Sequence, residues 1–277
     1  MADAPARADT AYAVRLAARF TREALEVGGE VPWGVLLFKV PARVVGRAGR
    51  PERTARTGRR PARSPTSSSA YRIPRPPHNS GPPPRRPIGS ANYCGPAFVG
   101  ENDGLLGELV RAADRASWPH LAPLLSDAVG FLSQTYDATA GLVGNTMVAL
   151  ARGADGSDIG ALVREVARYD APIQNTRRFA AAPFVHDGRA VESGQQILVL
   201  LAAANRDPAV NPNPHALSPG RVNSMIFTFG ASSHRCPGEA LASALAAAIV
   251  TELRTAGLSS TDTPTYRPLA NARIPHL

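Results

Sequence analysis

The stretch F-T-F-G-A-S-S-H-R-C-P-G-E-A-L-A, Phe227–Ala242, holds one of the two cysteines in the chain. Its reading decides the rest. A thiol acts as ligand or nucleophile only as the thiolate. The free N–H groups and dipole of a helix start favour that anion, and a helix is expected just after Pro237-Gly238. His234 and Arg235 add positive charge, Gly230 and Gly238 let the backbone approach a bulky partner closely, and Phe229 supplies an aromatic wall. Cys94 and Cys236 are too few for a disulfide framework, so Cys236 reads as a free thiol or a metal ligand.

Working outward, residues 238–254 place Leu241, Leu245, Ile249 and Leu253 on one helical face. Residues 123–151 form a long apolar-rich stretch with Pro123 suited to a first helical turn. Asp127, Gln134, Asp137 and Asn145 interrupt it too often for a bilayer, so it is predicted to cross a protein core. Residues 158–172 read as a helix ended by Pro172. Strands are expected around 176–185 and at the start of 195–207, and a short amphipathic helix at 104–116. Near the N-terminus, residues 9–27 carry Leu16, Phe20, Ala24 and Val27 on one stripe, and W-G-V-L-L-F-K-V (33–40) suits a buried strand.

The net charge of +9 is local. Residues 41–90 hold twelve arginines against the single acid Glu52, a balance of +11 that leaves −2 elsewhere. With eleven prolines and few large apolar residues, that segment cannot bury enough surface to offset chain entropy. It reads as a disordered linker. The competing reading is an arginine arm for phosphate backbones, but no aromatic interleaving accompanies the arginines, so nucleic acid is not the expected partner. No apolar run reaches transmembrane length and no secretory signal opens the chain, so no membrane is expected and a reducing cytoplasm is the expected location.

The full string resembles the heme-binding loop of the cytochrome P450 family, the heme-thiolate monooxygenases, whose pattern is FxxGxxxCxG and often FGxGxHxCxGxxLA. Phe227, Phe229, Gly230, His234, Cys236, Pro237, Gly238, Leu241 and Ala242 fall in place; Ser232 stands where the fuller pattern has glycine. Further likenesses follow in the family's order. Glu165 and Arg168 match its ExxR pair, A-P-I-Q-N-T-R-R-F-A its next segment and L-L-A-A-A-N-R-D-P the one after. T-Y-D-A-T-A-G-L-V-G-N resembles its distal helix.

The resemblance implies a mostly α fold with a minor β-sheet, a P450-like heme-binding core incomplete on the N-terminal side. Three regions follow: an N-terminal helix and strand (1–40), an Arg/Pro-rich disordered linker (41–102) and the heme-binding core (103–277). It implies heme as cofactor, with Cys236 thiolate as the axial iron ligand, a donor that favours oxygen–oxygen cleavage. Arg178 and His234 would pair with propionates, and Phe227, Phe229, Gly230 and Gly238 would shape the loop. Asp137 and Thr139 are the proton-relay candidates, although Ala138 stands directly after the acid and a one-residue shift turns a helical side chain by about 100°. The implied partners are a small organic substrate, O2 and a ferredoxin- or flavin-type electron donor. An incomplete member without turnover is the alternative, and the arginine-rich nucleic-acid binder the second.

Two departures bear on that reading. Ala216 and Leu217 stand where the family's third charge-network arginine belongs, with Arg221 as candidate substitute. Residues 1–122 contain no W/HxxxR match for the second propionate and are too few for the family's N-terminal half.

Overall fold

Asp158 opens the helix that organises the site: its carboxylate accepts the N–H of Ala161 at 2.9 Å, satisfying an otherwise orphaned donor. The computed structural model describes residues 10–26, 33–47, 111, 113–117 and 121–277. In chain order the principal helices are α1 (Thr10–Leu25), α2 (Val40–Arg47), α3 (Leu121–Ala151), α4 (Ile159–Tyr169), α5 (Leu201–Ala204) and α6 (Glu239–Thr255). The strands are β1 (Thr176–Phe179), β2 (Phe184–His186), β3 (Arg189–Val191), β4 (Gln196–Val199), β5 (Thr265–Tyr266) and β6 (Pro275–His276).

Helix α6 is the centre of the packing. Its face of Leu241, Leu245, Ile249 and Leu253 is buried as the 3.6-residue period demands. It meets α1, α3 and α4, while α2 closes against α1 and α3. Leu16 and Phe20 of α1, Leu142, Val143 and Met147 of α3, and Leu162, Val163 and Val166 of α4 complete one continuous core. Each such side chain contributes about 1.5–3 kcal/mol relative to exposure. Arg22 of α1 reaches Glu252 of α6 at 2.5 Å and pins their outer edges together.

The expected strand at 33–40 is instead helical. A wide π turn, Val35–Lys39, runs directly into α2, with the Val40 N–H bonded to Val35 O. Pro41 explains the widening: it has no N–H to offer, and its ring would strike the carbonyl four residues back in a regular helix. The buried set is Leu36, Leu37, Val40, Val44 and Val45. That is a helical stripe, visible only when the pattern is followed past Pro41, where the sequence reading begins the linker. The helix continues to Arg47. The remainder of the arginine-rich stretch lies outside the described residues, as does most of the helix expected at 104–116, of which residues 111 and 113–115 are helical.

Among the described residues the sheet content is three antiparallel ribbons: β1 with β4, β2 with β3, and β5 with β6. In the first, Thr176 faces Val199 and Phe179 faces Gln196. That register puts Arg178 beside Ile197 on the more protected face and leaves Phe179 and Leu198 on the other, 67% and 53% exposed. Leu200 and Val185 are similarly open. Among the described residues, no helix is long and apolar enough to cross a membrane.

Candidate functional site

The site is built on α4. Glu165 and Arg168, one turn apart, are both buried, so they are not the surface ion pair that spacing alone permits. The Arg168 fork has five N–H donors, and it meets five acceptors. Nε and Nη2 donate to Glu165 Oε2 and Oε1 at 3.0 and 2.7 Å, a bidentate pair. Nη1 donates to Asn205 O and Pro214 O at 3.2 and 2.9 Å, and Nη2 also to Ala216 O at 2.9 Å. Glu165 Oε1 takes the Ser218 N–H at 2.9 Å and Arg221 Nε at 3.3 Å. Arg221 thus occupies the third place in the charge network, with further bonds to the carbonyls of Pro212, Asn213 and Ala216.

The cysteine loop hangs from the same helix, since Thr228 Oγ1 donates to Ala167 O at 2.6 Å. Two short 3₁₀ turns, Phe227–Phe229 and Ser232–His234, flank Gly230. The Cys236 N–H returns to Phe229 O at 2.6 Å and closes the loop. Gly230 sits at φ 74°, ψ −175°, and a Cβ there would lie 2.4 Å from His234 O. Ser232, where the fuller pattern has glycine, is held at φ 51°, a left-handed conformation that costs a side-chain-bearing residue about 1–2 kcal/mol. Ser232→Gly is therefore expected to raise stability by about 1 kcal/mol after the entropy glycine loses. Urea unfolding checks this, and a destabilised variant would refute it.

Cys236 is exposed, just ahead of the start of α6. Partial burial of its sulfur is the largest influence and raises the thiol pKa above its ordinary value. The Gly238 and Glu239 N–H groups pull it down, and the Glu239 carboxylate pushes it up. Arg235 does not support the thiolate as expected, because its Nε is engaged by Glu239 Oε2 at 2.9 Å. Phe229 packs against the core while Phe227 is half-buried.

Arg178 and His234 keep charge-pairing capacity. Arg178 Nη1 donates only to neutral oxygens, Thr176 Oγ1 and Arg177 O, each at 2.8 Å. His234 is exposed. Among the described residues neither forms an ion pair.

The two relay candidates do not come together. Asp137 is half-exposed and faces Arg267 Nη1 at 3.7 Å, beside the Phe38–Tyr136 ring stack. Thr139 is buried, and among the described residues its Oγ1 has no partner. Two residues apart on a helix is about 200°, so they lie on opposite sides of α3. A cleft of about 320 Å³ lined by Asn145, Arg152, Tyr169, Asp170 and Leu217 includes none of the expected site residues.

The donor set fits a metal that brings its own ligands. No cluster of three or more His, Cys, Asp or Glu capable of holding a bare ion occurs among the described residues, so Cys236 would be a lone protein ligand. A tetrapyrrole would supply the remaining positions; Arg178, free of ion pairs among the described residues, fits its carboxylates, and a loop carrying Phe227 fits its apolar faces.

Comparison with known proteins agrees. The family described as Cytochrome P450 matches residues 159–253. A putative cytochrome P450 133B1 of Xylella fastidiosa (strain 9a5c) is 33% identical over 127 residues, 43% of this chain and 32% of that protein. The cytochrome P450 monooxygenase PikC of Streptomyces venezuelae is 33% identical over 152 residues, 51% of this chain and 36% of PikC. The ligand-free P450 monooxygenase TamI superposes with a TM-score of 0.58 at 25% identity, over 65% of this chain and 47% of TamI. The cytochrome P450 CYP109Q5 from Chondromyces apiculatus gives 0.56 at 26%, over 63% and 48%. The chain spans about a third of the length of these curated relatives. Sequence and structure thus converge: residues 159–253 match the cytochrome P450 family, and the described fold is similar to part of that family's structures.

Proposed function

We propose that the chain is the thiolate-bearing part of a heme monooxygenase. The observation that carries this reading is Cys236: an exposed thiol just ahead of a helix start, in a loop tied to the helix of the buried Glu–Arg pair, with no cluster of three or more His, Cys, Asp or Glu fit for a bare ion among the described residues. Cys236 would ligate the iron, Arg178 and His234 would hold propionates, and the Phe227–Gly230 turn would flank the macrocycle.

When bound, the heme supplies the oxidising chemistry, and the thiolate's electron donation favours oxygen–oxygen cleavage. The reaction so served would place one atom of O2 in a small organic substrate and release the other as water, with two electrons from a separate ferredoxin- or flavin-type donor and two protons from solvent. This chain's own task is to orient the group and keep the sulfur in place. Asp137 is occupied by Arg267 and Thr139 is packed away, so neither is assigned the relay here.

Because the thiol pKa is raised, ligation must expel a proton from Cys236, and heme uptake strengthens as pH rises toward that pKa. The test is reconstitution of the full chain with heme. Reduced and carbon monoxide-bound, it is expected to absorb where thiolate ligation places the band, and Cys236→Ala to lose that band entirely. Retention of the band in Cys236→Ala would refute the assignment.

A further inference from the structure

We propose that Asn205 and Thr228, braced by Asn211, are positioning residues that set where Cys236 stands. The inference rests on the reading of Cys236 as the iron ligand.

A fixed direction of hydrogen bonding carries it. The Ala167 carbonyl can only accept, so the Thr228 hydroxyl must donate to it, at 2.6 Å. That hydroxyl's lone pair then accepts from Asn205 Nδ2 at 2.8 Å. With its nitrogen so committed, the Asn205 amide turns Oδ1 onto the Phe227 N–H, at 2.6 Å. Asn205 itself is immobile: it is fully buried, and its backbone oxygen takes Arg168 Nη1 and Asn211 Nδ2, at 3.2 and 3.0 Å.

Asn211, also buried, grips Met225 from both sides. Its Oδ1 accepts the Met225 N–H at 3.0 Å and its Nδ2 donates to Met225 O at 2.9 Å. The segment from 225 to 228 is thereby fastened at four points: Thr228 directly to α4, Phe227 to Asn205, whose carbonyl Arg168 holds, and Met225 twice to Asn211. One residue on, Phe229 O receives the Cys236 N–H. Residues 231–236 are all exposed, so the loop takes its position from its two ends: this fastening and the start of α6. Thr228 is the discriminating position, because valine keeps its shape and removes both roles of its hydroxyl.

The test is amide hydrogen exchange on the full, heme-free chain. Thr228→Val is expected to lower protection of the 227–236 amides about tenfold, the scale of one lost buried hydrogen bond expressed as local opening. The amides of α4 and α6 should hold their protection, and Thr228→Ser should restore the loop. Asn205→Ala should act in the same direction and more strongly. After heme loading, the share of thiolate-type carbon monoxide band should fall in Thr228→Val and return in Thr228→Ser. Unchanged loop protection in Thr228→Val, or a loss shared equally by α4 and α6, overturns the proposal. Should the parent chain lack the thiolate band while the exchange pattern responds, the ligand reading of Cys236 falls and the fastening stands.

Discussion

Arg168→Leu is expected to cost the fold about 3–5 kcal/mol, the scale seen when one partner of a buried ion pair is removed. Marginal domains hold only about 5–15 kcal/mol in total, so this change alone brings the chain close to unfolding. The reason lies in what the side chain leaves behind. Glu165 would stay buried with one arginine in place of two, and the carbonyls of Asn205, Pro214 and Ala216 would lose donors. Those carbonyls belong to the segment that leads into the cysteine loop, so order there should fail first. Arg221→Ala is the control. It removes the partly exposed member and leaves the bidentate pair intact, so its cost should be smaller, about 1.5–3 kcal/mol on the scale of a hydrogen bond to a charged group. Urea midpoints of the two variants provide the measurement, and equal or trivial shifts would sink the argument.

Gly230→Ala is the second large expected effect. The backbone at φ 74°, ψ −175° lies in a region open almost only to glycine, where another residue carries strain of about 1–3 kcal/mol. The added methyl would also stand 2.4 Å from a main-chain oxygen, that of His234, which cannot swing aside as a flexible side chain would. The 230–236 turn must therefore reopen, and Cys236 moves with it. Gly153→Ala separates the two causes, since Gly153 also has positive φ, 86°, but open space around its Cβ. We expect Gly153→Ala to lower stability modestly and spare heme ligation, and Gly230→Ala to lose the thiolate band. Matching behaviour of the two variants would contradict the steric account.

The cysteine loop was legible in the sequence because its determinants are local: a glycine, a cysteine and a helix start within a few residues. The helical face of Leu241, Leu245, Ile249 and Leu253 was legible for the same reason, since period alone specifies it. The burial of Arg168 was not, because its carbonyl acceptors lie up to 48 residues away. Arg221 was only a candidate until the Pro212–Ala216 carbonyls gathered around it. The 33–40 segment misled through its length, too short for periodicity to separate strand from helix until Val44 and Val45 are included. Asp137 and Thr139 were paired by family likeness, whereas the helical angle between them already placed them apart. Asn211 and Thr228 gave no signal, since an asparagine among prolines and a threonine between phenylalanines look like ordinary loop text.

The β1–β4 ribbon has a consequence for handling the protein. Among the described residues, no further strand pairs with either outer edge of these two, and Phe179, Leu198 and Leu200 face water beside them. Such an edge is a template for any extended chain that meets it. Crowding molecules together in a concentrator or an inclusion body multiplies those encounters, so colloidal behaviour, rather than the free energy of the helical core, will set how much material can be kept in solution.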